Sequence, residues 1–186
     1  MYKSLSLLAV ALVLISASSV NVSAQVAKSN DVISLRDGLK EMLQAKGATS
    51  LKKLSINVDA DHSEKLREQG VSASGSYTVY KGLGQEGETI GSVLIINERG
   101  KEGPLQVLVA VDEEGQVYDV GFTLFGEDKG KPALNWPFLR QFLDKTAIEL
   151  VNTEVDGVSG ATWTSDSVTS AVKRGAALYT LFLVEN

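Results

Sequence analysis

The sequence predicts an α+β fold: an antiparallel β-sheet, a meander of about four strands, packed against helices. Three observations carry this. Residues 75 to 124 fall into β-rich runs separated by turn-forming clusters. Apolar residues at helical spacing flank that region near both ends of the chain. The chain has 186 residues and no cysteine, enough for one domain whose stability rests on its core and not on disulfides.

The opening residues read as a cleavable secretory signal, 1–24, followed by a single domain, 25–186. Lys3 supplies a positive start, Leu5 to Ile15 is apolar, and Val22-Ser23-Ala24 ends in a small-x-small pattern. Cleavage is expected after Ala24, with Ala17 as second choice. The apolar run is shorter than the roughly 18 residues a membrane span needs. No cysteine follows it, which removes a lipoprotein attachment site. The expected location is periplasmic or otherwise extracytoplasmic.

Residues 25 to 30 then form a short tether. From Asn30 or Asp31 to Lys46, Val32, Ile33, Leu35, Leu39, Met42 and Leu43 repeat at helical spacing, and Gly47 ends the run. Asp59-Ala60-Asp61-His62-Ser63-Glu64 gathers carboxylates around the sole histidine. A calcium loop would need Gly and Glu where Glu64 and Gly70 stand, so Ser63 is expected to cap a short helix ending at Gly70, with His62 exposed and without a role.

Strands are expected from Gly75 to Lys81, Glu88 to Ile96, Pro104 to Val111 and Gln116 to Leu124. Gly82-Leu83-Gly84-Gln85-Glu86-Gly87 matches the dinucleotide pattern G-x-G-x-x-G in form. A strand-like segment follows it where that motif requires a helix, so these glycines mark a hairpin turn. Asp112-Glu113-Glu114-Gly115 is a second turn, whose solvated acids have no cause for a raised pKa. Phe125 to Pro132 is a polar loop. Asn135 caps a short helix to Leu143, with Pro137 in its first turn, and Trp136, Phe138 and Phe142 in core roles. Lys145 to Val151 forms a further small piece beside it.

The last helix is expected from Ser165 to Val184, with Val168, Val172, Gly175, Leu178, Tyr179 and Phe182 on one face. Thr164 or Ser165 serves as its N-cap and Asp166 stands in its first turn. A glycine-bearing turn of free N–H groups at a helix start suits a phosphate.

Composition excludes several classes. Without cysteine there is no thiolate metal site, iron–sulfur cluster or thioether haem, and one histidine cannot make a histidine-rich metal site. The net charge of −5 argues against nucleic acid as a partner. Gly157-Val158-Ser159-Gly160-Ala161 has a faint nucleophile-elbow look. The sole histidine precedes Ser159, however, and the order Ser, acid, His of that hydrolase fold cannot be met.

The stretch Asp156-Gly157-Val158-Ser159-Gly160-Ala161-Thr162-Trp163-Thr164-Ser165 resembles the flavinylation motif of the FMN-binding domain family. That family includes the C subunit of the sodium-pumping NADH:quinone oxidoreductase and the G subunit of the Rnf complex. The resemblance implies FMN carried covalently as a phosphoester on Thr162, placed there from FAD by a flavin transferase. Ser159, Gly160, Ala161, Trp163, Thr164 and Ser165 would form the cofactor-binding surroundings. It implies an electron carrier, more than a stand-alone enzyme, that serves a membrane or extracytoplasmic redox partner such as an electron-transfer complex, a cytochrome or a reductase. By proximity in sequence alone, Lys129 or Lys131 would lie near the flavin edge, and Trp136 or Trp163 would stack on the ring. Relatives often read Glu-Thr-Pro-Gly in the loop comparable to residues 125–132, near the flavin, a pattern from which this chain departs. The competing reading is a non-redox secreted α+β binding module, in which the Ser-Gly-Ala-Thr turn only caps a helix.

Overall fold

In the computed structural model, residues 32–184 are described; the expected signal and tether lie outside them. Five antiparallel strands lie in chain order: β1 (Ser50–Val58), β2 (Gly75–Leu83), β3 (Thr89–Arg99), β4 (Pro104–Val111) and β5 (Val117–Phe125). The α+β meander is thus as expected, with one strand more than the sequence suggested. In β1, Leu51, Lys52 and Lys53 are exposed, and alternation emerges only at Ile56 and Val58, which are buried. Lysines on an edge strand discourage pairing with a second chain, and they also hide the strand's period.

Helices cover the sheet unequally. On one face, α5 (Thr162–Tyr179) lies against β3 and β4, accompanied by α2 (Ala60–Glu68), α3 (Trp136–Leu139) and α4 (Ala147–Asn152). This is the larger core, built around Val107, Val109, Phe122, Phe142, Leu150, Val168, Val172 and Leu178. The other face is covered by α1 (Leu35–Leu39), which runs on as a π-helical turn, Lys40–Gln44, and buries Leu39, Met42 and Leu43 against Val93, Leu108 and Ala110. The central strands β3 and β4 are therefore apolar on both faces, which is why they read as near-continuous apolar runs.

Several helix starts differ from expectation because capping is decided by which side chain reaches the free N–H groups. The first helix begins after Ser34, whose hydroxyl accepts from the Asp37 N–H, while the Ile33 N–H bonds the Phe122 carbonyl of β5. Asp59, not Ser63, caps α2 by accepting from the His62 N–H, and the Ser63 hydroxyl donates to the Ala73 carbonyl. His62 is partly covered, its Nδ1 2.7 Å from Asp59 and its ring 4.6 Å from that of Phe182. The expected turns stand at Gly87 and Gly115, both at positive φ. Asn135 precedes α3 without a side-chain cap bond, and Phe138 and Phe142 are core residues packed edge to face. Thr146 and Glu149 form a reciprocal capping box on α4.

Helix α5 approaches the sheet most closely at Gly175. A Cβ there would stand 2.8 Å from the Cβ of Val109, an atom fixed by its strand. Gly175→Ala is expected to cost about 1–3 kcal/mol by overpacking. At Gly157 nothing lies within reach of an added Cβ, so Gly157→Ala should stay within about 0.5 kcal/mol. Urea unfolding of the two variants checks the contrast; equal midpoints would refute it.

Candidate functional site

The motif occupies the turn leading into α5. Ala161, not Thr164 or Ser165, is the N-cap, and it has no side-chain cap bond. Gly160 takes φ +80°, a conformation glycine adopts at little cost, and the Ala161 N–H closes a turn onto the Val158 carbonyl. The first intrahelical bond runs from the Ser165 N–H to the Ala161 carbonyl. Beginning the helix three residues early places Thr162 at its first position, Thr164 and Ser165 inside the first turn, and Asp166 beyond it.

This start separates the four motif hydroxyls. Ser165 is buried, and its Oγ donates to the Ala161 carbonyl while accepting from the Val158 N–H. Thr164 is buried, and its hydroxyl donates to Glu127 Oε2 at 2.9 Å. Ser159 is exposed but does not line the adjacent cavity. Thr162 is exposed and lines that cavity. Of the four, only Thr162 combines access with a concave surface beside it.

The cavity measures about 370 Å³ and is walled by Gly160–Thr164 and Asp166, by Lys101 and Glu102 of the β3–β4 turn, and by Glu127, Lys129 and Gly130 of the loop after β5. Small-molecule sites generally occupy about 300–1,000 Å³. Lys101 and Lys129 bring two cations to the end of α5 whose partial charge is positive. Trp163 is 61% exposed at the rim. Of the other residues expected near a flavin, Lys131 is drawn into an exposed ion pair with Asp128, and neither Lys131 nor Trp136 lines the cavity. A larger concavity of about 750 Å³ lies against α1 and contains none of the motif residues.

Glu127 was not singled out by the sequence. It is 3% exposed and takes hydrogen bonds from the Glu102 N–H at 2.6 Å, the Gly103 N–H at 3.3 Å and the Thr164 hydroxyl. Burial pushes its pKa up, but donation from Glu102, Thr164 and Gly103 outweighs that and leaves the carboxyl below its ordinary value. In return the Glu102 carboxylate accepts from the N–H groups of Asp128 and Lys129. The signal lay in the loop itself: Glu127-Asp128-Lys129-Gly130 keeps the first and last residues of Glu-Thr-Pro-Gly. Gly130 is required there, since a Cβ would collide with the Thr164 hydroxyl. A second contact missed from sequence holds the motif loop in place. The Gln141 side-chain amide accepts from the Asp156 N–H and donates to its carbonyl, at 2.8 and 3.1 Å.

Residues 100–177 match the FMN-binding domain family. That span includes both cavity loops, Glu127 and the whole motif, so the resemblance first carried by ten residues extends over strands β4 and β5 and most of α5. Among solved structures, the C subunit of the Na(+)-translocating NADH-quinone reductase from Parabacteroides distasonis aligns with TM-score 0.49 and 21% identity, covering 73% of this chain and 78% of its own. NqrC from Shewanella oneidensis aligns with TM-score 0.49 and 20% identity, covering 79% of this chain and 85% of its own. No curated protein matches the sequence.

Because the Glu127 carboxyl is held below its ordinary pKa, the folded state binds protons there less readily than the unfolded chain. Its stabilisation is present above the ordinary carboxylate range and is lost as pH falls through the lowered folded value. The stability advantage of wild type over Glu127→Gln should therefore be largest near neutral pH and shrink on acidification. Denaturant titrations across that range measure it; an advantage that does not vary with pH would contradict the assignment.

Proposed function

We infer that this protein is an exported electron-transfer flavoprotein that carries FMN as a phosphoester on Thr162. The observation that carries the reading is the pairing of one accessible threonine with a cavity bearing Lys101 and Lys129 at the start of α5, within a segment that matches the FMN-binding domain. The residues present suit such a group. The first-turn N–H groups of a helix favour a phosphoester carrying negative charge, and Lys101 and Lys129 offset the carboxylates of Glu102, Glu127 and Asp166 on the same walls. Trp163 at the rim offers an aromatic face. Bound here, FMN would supply reversible uptake of electrons, with the protein setting placement, burial and local charge.

Attachment balances as a substitution at phosphorus. The Thr162 oxygen bonds to the phosphorus of the FMN half of FAD, the pyrophosphate P–O bond to the AMP half breaks, and AMP leaves. The threonine proton passes to a base of the flavin transferase. The folded chain holds the hydroxyl outward for that enzyme while Thr164 and Ser165 keep theirs engaged internally. Export through the signal over residues 1–24 fits a covalent link, since a cofactor lost outside the cytoplasm is not readily replaced. Its electron-exchange partner would then be a membrane or extracytoplasmic redox protein.

Protein co-produced with a flavin transferase should stay yellow after denaturation and precipitation. Mass spectrometry should find the increment of FMN minus water on the peptide holding Thr162. Thr162→Ala should abolish both signals without changing the unfolding midpoint by more than about 0.5 kcal/mol, as expected for an exposed position. Colourless protein in the presence of demonstrably active transferase would favour the non-redox binding module instead, and label persisting in Thr162→Ala would move the acceptor elsewhere.

A further inference from the structure

Three segments distant in sequence meet at one carboxylate: the β3–β4 turn, the loop after β5 and the first turn of α5. Glycines make the meeting close. A Cβ on Gly100 would collide with the Glu127 carboxylate, and one on Gly130 with the Thr164 side chain. One on Gly103 would press on the Gly126 backbone at 2.6 Å. The clasp works in both directions, because Glu102 gives its N–H to Glu127 and uses its own carboxylate to hold the N–H groups of Asp128 and Lys129. Each of these segments contributes to the cavity beside Thr162, and the two cavity lysines stand one on each of the joined loops.

We propose that Glu127 is the positioning residue of this site, holding the Lys101 turn and the Lys129 loop against the Thr164 turn so that the walls stay closed around a flavin attached to Thr162. The role goes through other residues: Glu127 acts on the cavity by way of the Glu102 and Gly103 backbone and the Thr164 hydroxyl. Its carboxyl, held ionised by those donors, makes charge-assisted bonds, stronger than neutral ones. Losing them frees the walls, and the attached group then samples solvent. This rests on the reading that Thr162 carries FMN, so one arm of the test requires no flavin.

That arm is amide hydrogen exchange on the flavin-free protein. Glu127→Ala should speed exchange at Glu102 and Gly103 by about tenfold or more, the scale of a lost hydrogen bond to a charged group. Glu127→Gln keeps an oxygen for those N–H groups and an amide for Thr164, so its effect should be smaller. The second arm is the visible circular dichroism of the flavin-loaded protein, a signature of a ring held in an asymmetric site. It should weaken strongly in Glu127→Ala and in Thr164→Val and largely return in Glu127→Gln. Unchanged exchange in Glu127→Ala, an unchanged visible band in Glu127→Ala or Thr164→Val, or a Gln variant no better than Ala would each overturn the proposal. Should Glu127→Ala fail to fold, Thr164→Val and Glu127→Gln still decide it through the visible band. A wild-type protein that takes up no flavin would remove the functional reading, and the positioning role with it, even where exchange still reports the clasp.

Discussion

A carboxylate taken out of water must recover its lost hydration from fixed donors, or it becomes protonated. Glu127 recovers it from two backbone N–H groups and one hydroxyl, contributed by a turn and a helix that share no local sequence with it. That requirement fixes where the β3–β4 turn, the loop after β5 and the start of α5 stand. The glycines at 100, 103, 126 and 130 suit it, because a side chain at those positions would press on the carboxylate, on the Thr164 side chain bonded to it, or on an opposing backbone. The cavity is thus a by-product of satisfying one buried charge.

The sheet supplies the rigid frame for that arrangement. Strands β3 and β4 are packed on both faces, so the turn joining them leaves a well-anchored ladder, and α5 rests on the same two strands. The Arg174 guanidinium links α5 to β3 through Glu98 at 2.6 Å and also donates to the Ser72 carbonyl. Both partners are mostly shielded from solvent, which gives such a pair more weight than an exposed one. Position along the helix is then set at one end by the Gly175–Val109 contact and at the other by the Thr164–Glu127 bond.

The start of α5 shows how a helix terminus can sort chemically similar groups. Four hydroxyl residues lie within seven positions, and all are equivalent in composition. An N-cap at Ala161 turns two of them inward, where each donates to an oxygen, and leaves Thr162 outward beside two lysines. A turn that merely capped the helix with Ser or Thr would not need this division, and here no side chain caps α5 at all. The plain capping role that the competing module would assign to a Ser or Thr of this turn is not what the turn performs.

By itself the sequence determined the α+β class, the meander from β2 to β5, the turns at Gly87 and Gly115 and the resemblance of the motif to that of the FMN-binding domain. These are written in short-range periodicity and in residue types whose backbone preferences are local. Edge strand β1 escaped because its exposed lysines mask the alternation, and the helix starts shifted because the capping group is chosen by reach. Glu127 and Gln141 were missed for a different reason. Each acts on a residue more than a dozen positions away, Thr164 and Asp156, so even the Glu and Gly of the 127–130 loop could not show in the sequence what Glu127 holds. Only the tertiary structure could choose among the motif hydroxyls, because burial and access are properties of how α5 docks on the sheet, and no local pattern encodes them.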